Sequence, residues 1–149
     1  MVDKYEINSS TLAIMPIDEC SSKVIEKENE YIVKKCTTAI IDDSCKFFGS
    51  SYHGRFEGTK SVLGINYKAP ILVEESREII FFPTISPRLK ECKWISLKNV
   101  EKYEKAGYFS KIIFKNGLEI ELDISYPSLE NQILRSTRLE SIIRNRKII

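Results

Sequence analysis

The first quarter of the chain alternates short apolar runs with polar turns. β-Branched and aromatic residues cluster in these runs, a pattern that favours β-strands. Asn8-Ser9-Ser10 predicts a tight turn between the first two runs, because Asn and Ser side chains bond readily to the local backbone. The predicted strands are Tyr5–Asn8, Leu12–Ile17, Lys23–Glu26 and Tyr31–Lys35.

The middle of the chain mixes helical and extended patterns. Residues 37–48 are apolar enough for a helix or a buried strand, and we favour a short helix that ends near Gly49. Residues 49–64 are punctuated by glycines and predict one weakened helical stretch. Pro83 to Lys93 reads as a long polar loop, and a polar stretch follows the strand at 94–97. The predicted strands here are Ile71–Val73, Ile79–Phe82 and Trp94–Leu97.

The clearest local signal is a β-hairpin near the end of the chain. The runs KIIFK (111–115) and LEIELDI (118–124) flank Asn116-Gly117, and this dipeptide predicts a type I′ turn. In the second run Leu, Ile, Leu and Ile alternate with acidic residues, which predicts one buried and one solvated face. Ser125 and Pro127 then predict the start of a C-terminal helix.

These elements predict an α+β fold, with mostly antiparallel β-strands, a mid-chain helical segment and a C-terminal helix. A length of 149 residues suits a single domain spanning 1–149. The N-terminus MVDKYEINSS has no apolar core of a signal peptide, and no apolar run approaches a membrane span. We therefore expect a cytoplasmic protein without membrane contact.

Several kinds of catalytic site lack the residues they need. One histidine excludes a multi-His metal site, and the four cysteines lack paired zinc-ligand spacing, so we expect no metal and no cofactor. Gly49 to Arg55 resembles the start of a phosphate loop, but Arg55 and Phe56 stand where the loop requires a Lys and a hydroxyl residue. A hydrolase elbow at Ser51 fails because His53 stands at its final glycine position, and a thiol pairing of Cys45 or Cys92 with His53 is disfavoured. We expect no enzyme activity.

Charge distribution suggests a binding role instead. Net charge is only +2, but residues 1–45 are acidic overall and residues 46–149 are basic. This asymmetry suggests a surface for a polyanion, with ordinary surface variation as the alternative. Cations and hydroxyl groups in the glycine-rich segment suit phosphate contact, although the segment also fits a solvated loop whose glycines make turns. The predicted DNA contacts are Lys46, Ser50, Ser51, His53, Arg55 and Lys60, with Arg88, Lys90 and Lys93 as secondary candidates.

Several blocks of the chain resemble the ComK-type competence transcription factors of Bacillus and its relatives. The longest block is SCKFFGSSY (44–52), followed by Gly54-Arg55 and Gly58-Thr59. The resemblance covers about Tyr5 to Arg138. Further matching blocks, in order, are Phe82-Pro83-Thr84, Cys92 with Trp94-Ile95-Ser96, Phe114 with Asn116-Gly117, Ile124-Ser125-Tyr126 with Ser128, and Glu130-Asn131-Gln132 with Arg135.

This resemblance implies an activator of competence genes that binds paired A/T-rich boxes in double-stranded DNA, largely through the minor groove. It implies a homo-oligomer, either a dimer or a pair of dimers, that associates with the nucleoid when bound to DNA. It also implies contact with an adaptor protein of a Clp protease, through a C-terminal region that continues past the length of this chain in the best-known relative.

One alternative from a different functional class is a protein-interaction modulator that binds DNA weakly or not at all. Such a protein would oligomerise with a longer homologue or compete against it. Its contact surface would be the C-terminal helix, where Leu134 and Ile142 lie off the main apolar stripe.

Overall fold

The computed structural model describes residues 1–147, and their elements form the expected α+β fold. The strands fall into two groups separated by a pair of helices, and a long helix ends the chain. In chain order the elements are β1 (Thr11–Asp18), β2 (Ser21–Glu26), β3 (Glu30–Val33), α1 (Thr37–Phe47), α2 (Tyr52–Leu63), β4 (Ile71–Glu74), β5 (Ile79–Pro83), β6 (Trp94–Ser96), a 3₁₀ turn (Leu97–Asn99), β7 (Val100–Ala106), β8 (Phe109–Phe114), β9 (Glu119–Leu122) and α3 (Tyr126–Arg146).

A six-stranded antiparallel sheet forms the centre of the protein. Its strand order is β3-β2-β1-β6-β5-β4, so β6 joins the N-terminal meander to the β4–β5 hairpin. The strands β7, β8 and β9 form a second antiparallel sheet. This arrangement confirms the mostly antiparallel topology expected from the sequence.

The two faces of the central sheet bury different partners. Side chains alternate along a strand, so neighbouring residues face opposite sides. Ile14 and Trp94 pack in a cluster with α1, whereas Ala13 and Ile95 pack in a cluster with β8, β9 and α3. The fold therefore has α1 and α2 over one face, and the small sheet with α3 over the other.

The helix boundaries follow sequence signals closely. The last turn of α1 runs into Gly49, whose φ of +88° favours a residue without a Cβ. The start of α3 is capped by Ser125, whose Oγ accepts a hydrogen bond from the backbone N of Ser128 at 3.3 Å. The predicted end of the first helix near Gly49 and the predicted start of the C-terminal helix are confirmed. The glycine-rich segment contains α2.

The predicted hairpin is confirmed, but its type I′ turn is wrong. Gly117 has a φ of +92°, while Asn116 has no positive φ. The backbone N of Gly117 donates to the O of Phe114 at 2.9 Å, and the N of Phe114 donates to the O of Leu118 at 2.8 Å. These bonds enclose a three-residue connection, which favours a type I turn followed by a left-handed glycine. Asn116 instead bonds Lys27 O through its Nδ2, at 3.1 Å.

Two strand predictions differ from the structure because tertiary contacts decided them. Tyr5–Asn8 is not a strand, since the backbone N of Ile7 donates to Ser44 Oγ at 3.0 Å instead of to a neighbouring strand. The polar stretch after residue 97 contains β7, which we did not predict. This strand pairs only with β8, so most of its side chains remain exposed or half-buried and show no strong alternation.

Candidate nucleic-acid interface

The corner between α1 and α2 positions the predicted residues Ser50 and Ser51. Asp42 Oδ1 accepts a hydrogen bond from the backbone N of Tyr52 at 2.9 Å, which fixes the start of α2 against α1. Ser51 Oγ accepts a hydrogen bond from the backbone N of Gly54 at 2.9 Å and caps the helix. Ser50 is half-buried beside this cap. Ser51 therefore has a structural role at the helix start.

Lys46 is exposed in the last turn of α1 but already has a counter-ion. Its Nζ lies 2.9 Å from Asp42 Oδ2, and this hydrogen bond raises the pKa of Lys46. Burial alone would raise the pKa of Asp42, but hydrogen bonds from Tyr52 and Lys46 outweigh it and lower that pKa. Both groups stay charged at neutral pH, and the carboxylate weakens the attraction of Lys46 for a phosphate.

The predicted residues of α2 lie on two different flanks. His53 and Lys60 are both exposed and lie seven residues apart, which places them on the same face of the helix. Arg55 is half-buried on the opposite flank, close enough for its charge to act on the thiol of Cys45. Its Nε is buried without a hydrogen-bond partner in the part of the chain that the structure describes. The fold does not bring Arg55 together with His53.

Aromatic packing decides which face of α2 is outward. The ring of Tyr52 makes a T-shaped contact with Trp94 at a centroid distance of 6.1 Å and stacks with Phe56 at 6.4 Å. Thr59 Oγ1 donates to Pro70 O at 2.7 Å on the same buried side. Because these contacts hold Tyr52 inward, the adjacent His53 is directed towards solvent.

The loop between β5 and β6 is held in place against the start of α1. The backbone N of Thr84 donates to Lys93 O at 2.9 Å and closes the loop at its base. Thr38 Oγ1 in α1 donates to Pro87 O at 3.3 Å near its tip. Arg88, the next residue, is exposed. This arrangement carries Arg88 to the side of the molecule where α2 exposes His53.

These parts enclose a cleft of about 590 Å³, which we call the basic cleft. Its lining comes from α1, α2, the segment before β4 and the loop between β5 and β6. No Asp or Glu lies among the lining residues that the structure describes. Its cationic residues are Lys68 and Arg88, the imidazole of His53 lies beside them, and its aromatic residues are Tyr52, Phe56 and Tyr67.

Lys90 and Lys93 line a different depression, of about 680 Å³, which we call the mixed groove. Lys90 Nζ lies 4.0 Å from Glu19 Oε1. The acidic residues around the two lysines are Asp18, Glu19, Glu91 and Asp123. Both lysines therefore lie among carboxylates. Arg88 borders both regions, because it also lines a smaller depression of about 310 Å³ together with Lys90, Asp18 and Glu19.

Sequence reasoning missed Tyr67 and Lys68 in the basic cleft. They lie in the short segment between α2 and β4, outside the blocks that drew attention for their glycines. The signal was present, since an aromatic residue next to a lysine in a loop is typical of nucleic-acid contacts.

The cysteines and acidic residues provide little support for catalysis. Burial raises the pKa of Cys45 to about 12 and that of Cys92 to about 11, which disfavours the reactive thiolates. Among residues 1–147, no three His, Cys, Asp or Glu side chains are grouped so that they hold a metal ion. Within the same range, no helix combines the length and the apolar character needed to cross a membrane.

Comparisons with known proteins agree with the resemblance of the sequence blocks. A family model described as "ComK protein" matches residues 2–148. The chain is 40% identical over 149 residues to the competence transcription factor of Bacillus subtilis (strain 168), covering 97% of this chain and 78% of that protein. No solved structure matches the chain significantly.

Proposed function

The chain belongs to the ComK family, and we propose that it is a transcriptional regulator of competence that binds double-stranded DNA. The proposed target is a pair of A/T-rich boxes, contacted largely through the minor groove by a dimer or a pair of dimers. The proposal concerns binding and not catalysis. An adaptor of a Clp protease is a proposed further partner, on the family resemblance alone.

The observation that carries the proposal is the basic cleft. His53, Lys68 and Arg88 reach it from three separate chain segments, and its described lining contains no carboxylate. Each phosphate neutralised by Lys68 or Arg88 releases condensed counter-ions, which favours binding at low and moderate salt. A/T-rich tracts have a narrow minor groove with strong negative potential that attracts Arg, Lys and His side chains. The cleft therefore suits a minor-groove edge better than the mixed groove does.

The proposed contacts form a ranked set. Arg88, His53 and Lys68 come first because they share the basic cleft, and Lys60 follows because it lies on the same face of α2 as His53. Arg55, Ser50, Ser51 and Lys46 stay proposed contacts of the α1–α2 corner. Lys90 and Lys93 stay proposed contacts of lower rank, since carboxylates surround them.

The test is fluorescence anisotropy with two labelled duplexes titrated with the protein. One duplex carries two A/T boxes and the other is rich in G and C, and each is measured at low and near-physiological salt. We expect tight binding to the A/T duplex that persists at the higher salt. Weak binding that ignores sequence and disappears with salt would contradict the proposal.

A second function, modulation through protein contacts, is favoured by one observation. Leu134 lies on α3 with 59% of its surface exposed, away from the buried residues Leu129 and Ile133. Ile142 is half-buried. A pulldown with a longer ComK-family protein separates the two functions, because a pure modulator would bind that protein and fail to bind the A/T duplex.

A further inference from the structure

We propose that Tyr67 packs its ring against the base pairs of bound A/T-rich DNA and wedges open a base step at the minor groove. The inference rests on the proposed function and deepens it, because it names a side chain that reads the deformability of the duplex. Tyr67 has 63% of its surface exposed at the rim of the basic cleft.

The first support is that Tyr67 is exposed and yet held firmly in place. Arg135 Nη2 in α3 donates to Tyr67 O at 2.7 Å, and the guanidinium carbon lies 5.2 Å from the centre of the tyrosine ring. Arg135 Nη1 also donates to Gln132 Oε1 at 2.9 Å. The arginine therefore fixes the backbone of Tyr67 and contacts its ring, which lowers the entropy lost when the ring binds a ligand.

The second support is the buried amide beneath the same segment. Gln132 is fully buried, and its Nε2 donates to Lys68 O at 3.0 Å and to Pro83 O at 2.7 Å. Lys68 has a φ of +48°, an uncommon conformation for a residue other than glycine. A buried polar side chain thus holds the turn after Tyr67 in a conformation that it would rarely adopt alone.

Tyr67 differs from two other exposed aromatic residues in its contacts and its position. Tyr108 is 96% exposed at the turn between β7 and β8, and no hydrogen bond or aromatic pair is described for its side chain within residues 1–147. Phe47 is 64% exposed but pairs edge-on with Phe48, at 5.1 Å. Only Tyr67 among these three combines exposure, anchoring and a place in the basic cleft.

The charge of the cleft favours DNA as the occupant. The ring of Tyr67 lies beside Lys68, with Arg88 and His53 on the other lining segments, so a phosphate backbone would be attracted to both sides of it. Apolar wedges in minor-groove proteins partly unstack base steps, and pyrimidine–purine steps such as TA unstack most easily. A tyrosine at this place would therefore favour A/T-rich sequences without hydrogen bonds to the bases.

The experiment compares Tyr67→Ala, Tyr67→Phe and the control Tyr108→Ala on a duplex with 2-aminopurine at the TA step of one box. For the parent protein we expect tight binding and a rise in 2-aminopurine fluorescence, which reports unstacking. Tyr67→Ala is expected to lose about 10-fold in affinity and most of that rise, while the salt dependence of binding stays unchanged. Tyr67→Phe and Tyr108→Ala are expected to behave like the parent.

The outcomes separate the two levels of the proposal. If Tyr67→Ala keeps the affinity and the fluorescence rise of Tyr108→Ala, the stacking role is wrong and the DNA-binding function stands. If the parent fails to prefer the A/T duplex, the proposed function is wrong and the stacking role falls with it. Thermal unfolding followed by circular dichroism checks that each variant is folded. If Tyr67→Ala is unfolded, Tyr67→Gln replaces it in the same comparison, since Gln has comparable length but neither a ring nor an apolar wedge.

Discussion

The basic cleft and the mixed groove are depressions of similar size with opposite electrostatic settings. The basic cleft measures about 590 Å³ and the mixed groove about 680 Å³, and each contains cations predicted to contact DNA. In the groove four acidic residues surround Lys90 and Lys93, whereas the described lining of the cleft has none. The comparison teaches that the neighbours of a cation, more than its presence in the sequence, decide whether it attracts a polyanion.

The difference arises from which loops meet at each place. The end of β1 and the following turn bring Asp18 and Glu19 to the groove, and Asp123 lies directly after β9. The cleft is built instead from α2 and two loops that contribute Lys68 and Arg88. Arg88 lies between the two regions, since it lines the basic cleft and also shares a smaller depression with Lys90, Asp18 and Glu19, whereas Lys93 lines the mixed groove.

The largest effect is expected from charge reversal in the cleft. Lys68→Glu combined with Arg88→Glu is expected to lower affinity for the A/T duplex about 100-fold at near-physiological salt, since it replaces two attractions with two repulsions. The matched variant is Lys90→Glu combined with Lys93→Glu, with an expected loss of about threefold. Anisotropy titration measures both, and equal losses would remove the distinction between the two regions.

A smaller effect is expected from removing one cation. Arg88→Ala is expected to weaken binding about 10-fold and to lower the slope of log affinity against log salt by about one, as the loss of one phosphate contact predicts. Lys90→Ala is the control on the same loop, with a nearly unchanged slope. A salt slope that changes more for Lys90→Ala than for Arg88→Ala would contradict the assignment.

Within the α1–α2 unit, the expected effects are smaller again. Lys60→Ala is expected to weaken binding about fivefold, because Lys60 shares the face of His53. Lys46→Ala is expected to weaken it less than twofold, because Asp42 already neutralises that lysine at 2.9 Å. Titration of both variants at one salt concentration gives the comparison, and a larger loss for Lys46→Ala would show that the ion pair opens on binding.

The buried thiols predict a loss of stability at high pH. Free thiols titrate near 9.0, but burial holds the pKa of Cys92 at about 11 and that of Cys45 at about 12. Above pH 9 the unfolded chain therefore binds fewer protons than the folded protein, so the free energy of unfolding falls by about 1 kcal/mol per thiol for each pH unit. Urea unfolding at pH 8 and pH 10 measures the fall. In the variant with Cys45→Ala and Cys92→Ala, the free energy of unfolding is expected to fall less between the two pH values. An equal fall in that variant would show that groups other than the thiols cause it.

The smallest effect on DNA binding is expected from filling the mixed groove. Cys20 lines this groove and is exposed, whereas Cys45 and Cys92 are buried. In a Cys36→Ser variant, a bulky maleimide is expected to react at Cys20 alone under native conditions. Affinity of the labelled protein for the A/T duplex is then expected to change less than twofold. A loss of 10-fold or more would place DNA in the groove.

Much of the fold was predictable because local chemistry determined it. Ser125 and Pro127 predicted the start of α3, and the alternation of apolar and acidic residues predicted the buried face of β9 at Ile120 and Leu122. The prediction failed at Tyr5–Asn8, where a buried serine of α1 replaced a strand partner. The prediction also failed at β7. This strand pairs with a single neighbour, so its side chains are not alternately buried and exposed, and its sequence shows no apolar alternation.

The candidate site was predictable only in part. The sequence singled out His53 and Arg88, which the structure brings to one cleft, but it grouped them with Arg55, on the other flank of α2, and with Lys93, in the mixed groove. The sequence showed Tyr67 beside a lysine in a loop, but the anchoring of Tyr67 depends on Arg135, which lies 68 residues further along the chain. No local pattern reports which residues of α3 contact the segment before β4.

By itself the sequence determined the family, the α+β class, most helix and strand positions, and the excess of positive charge after residue 45. The family follows from the matching sequence blocks, and the other properties follow from composition, periodicity and short-range backbone preferences, which act within a few residues. Only the tertiary structure decided which cations share a surface and which have carboxylates beside them. Electrostatic potential depends on distance through space, and the fold sets that distance by packing segments that are far apart in the chain.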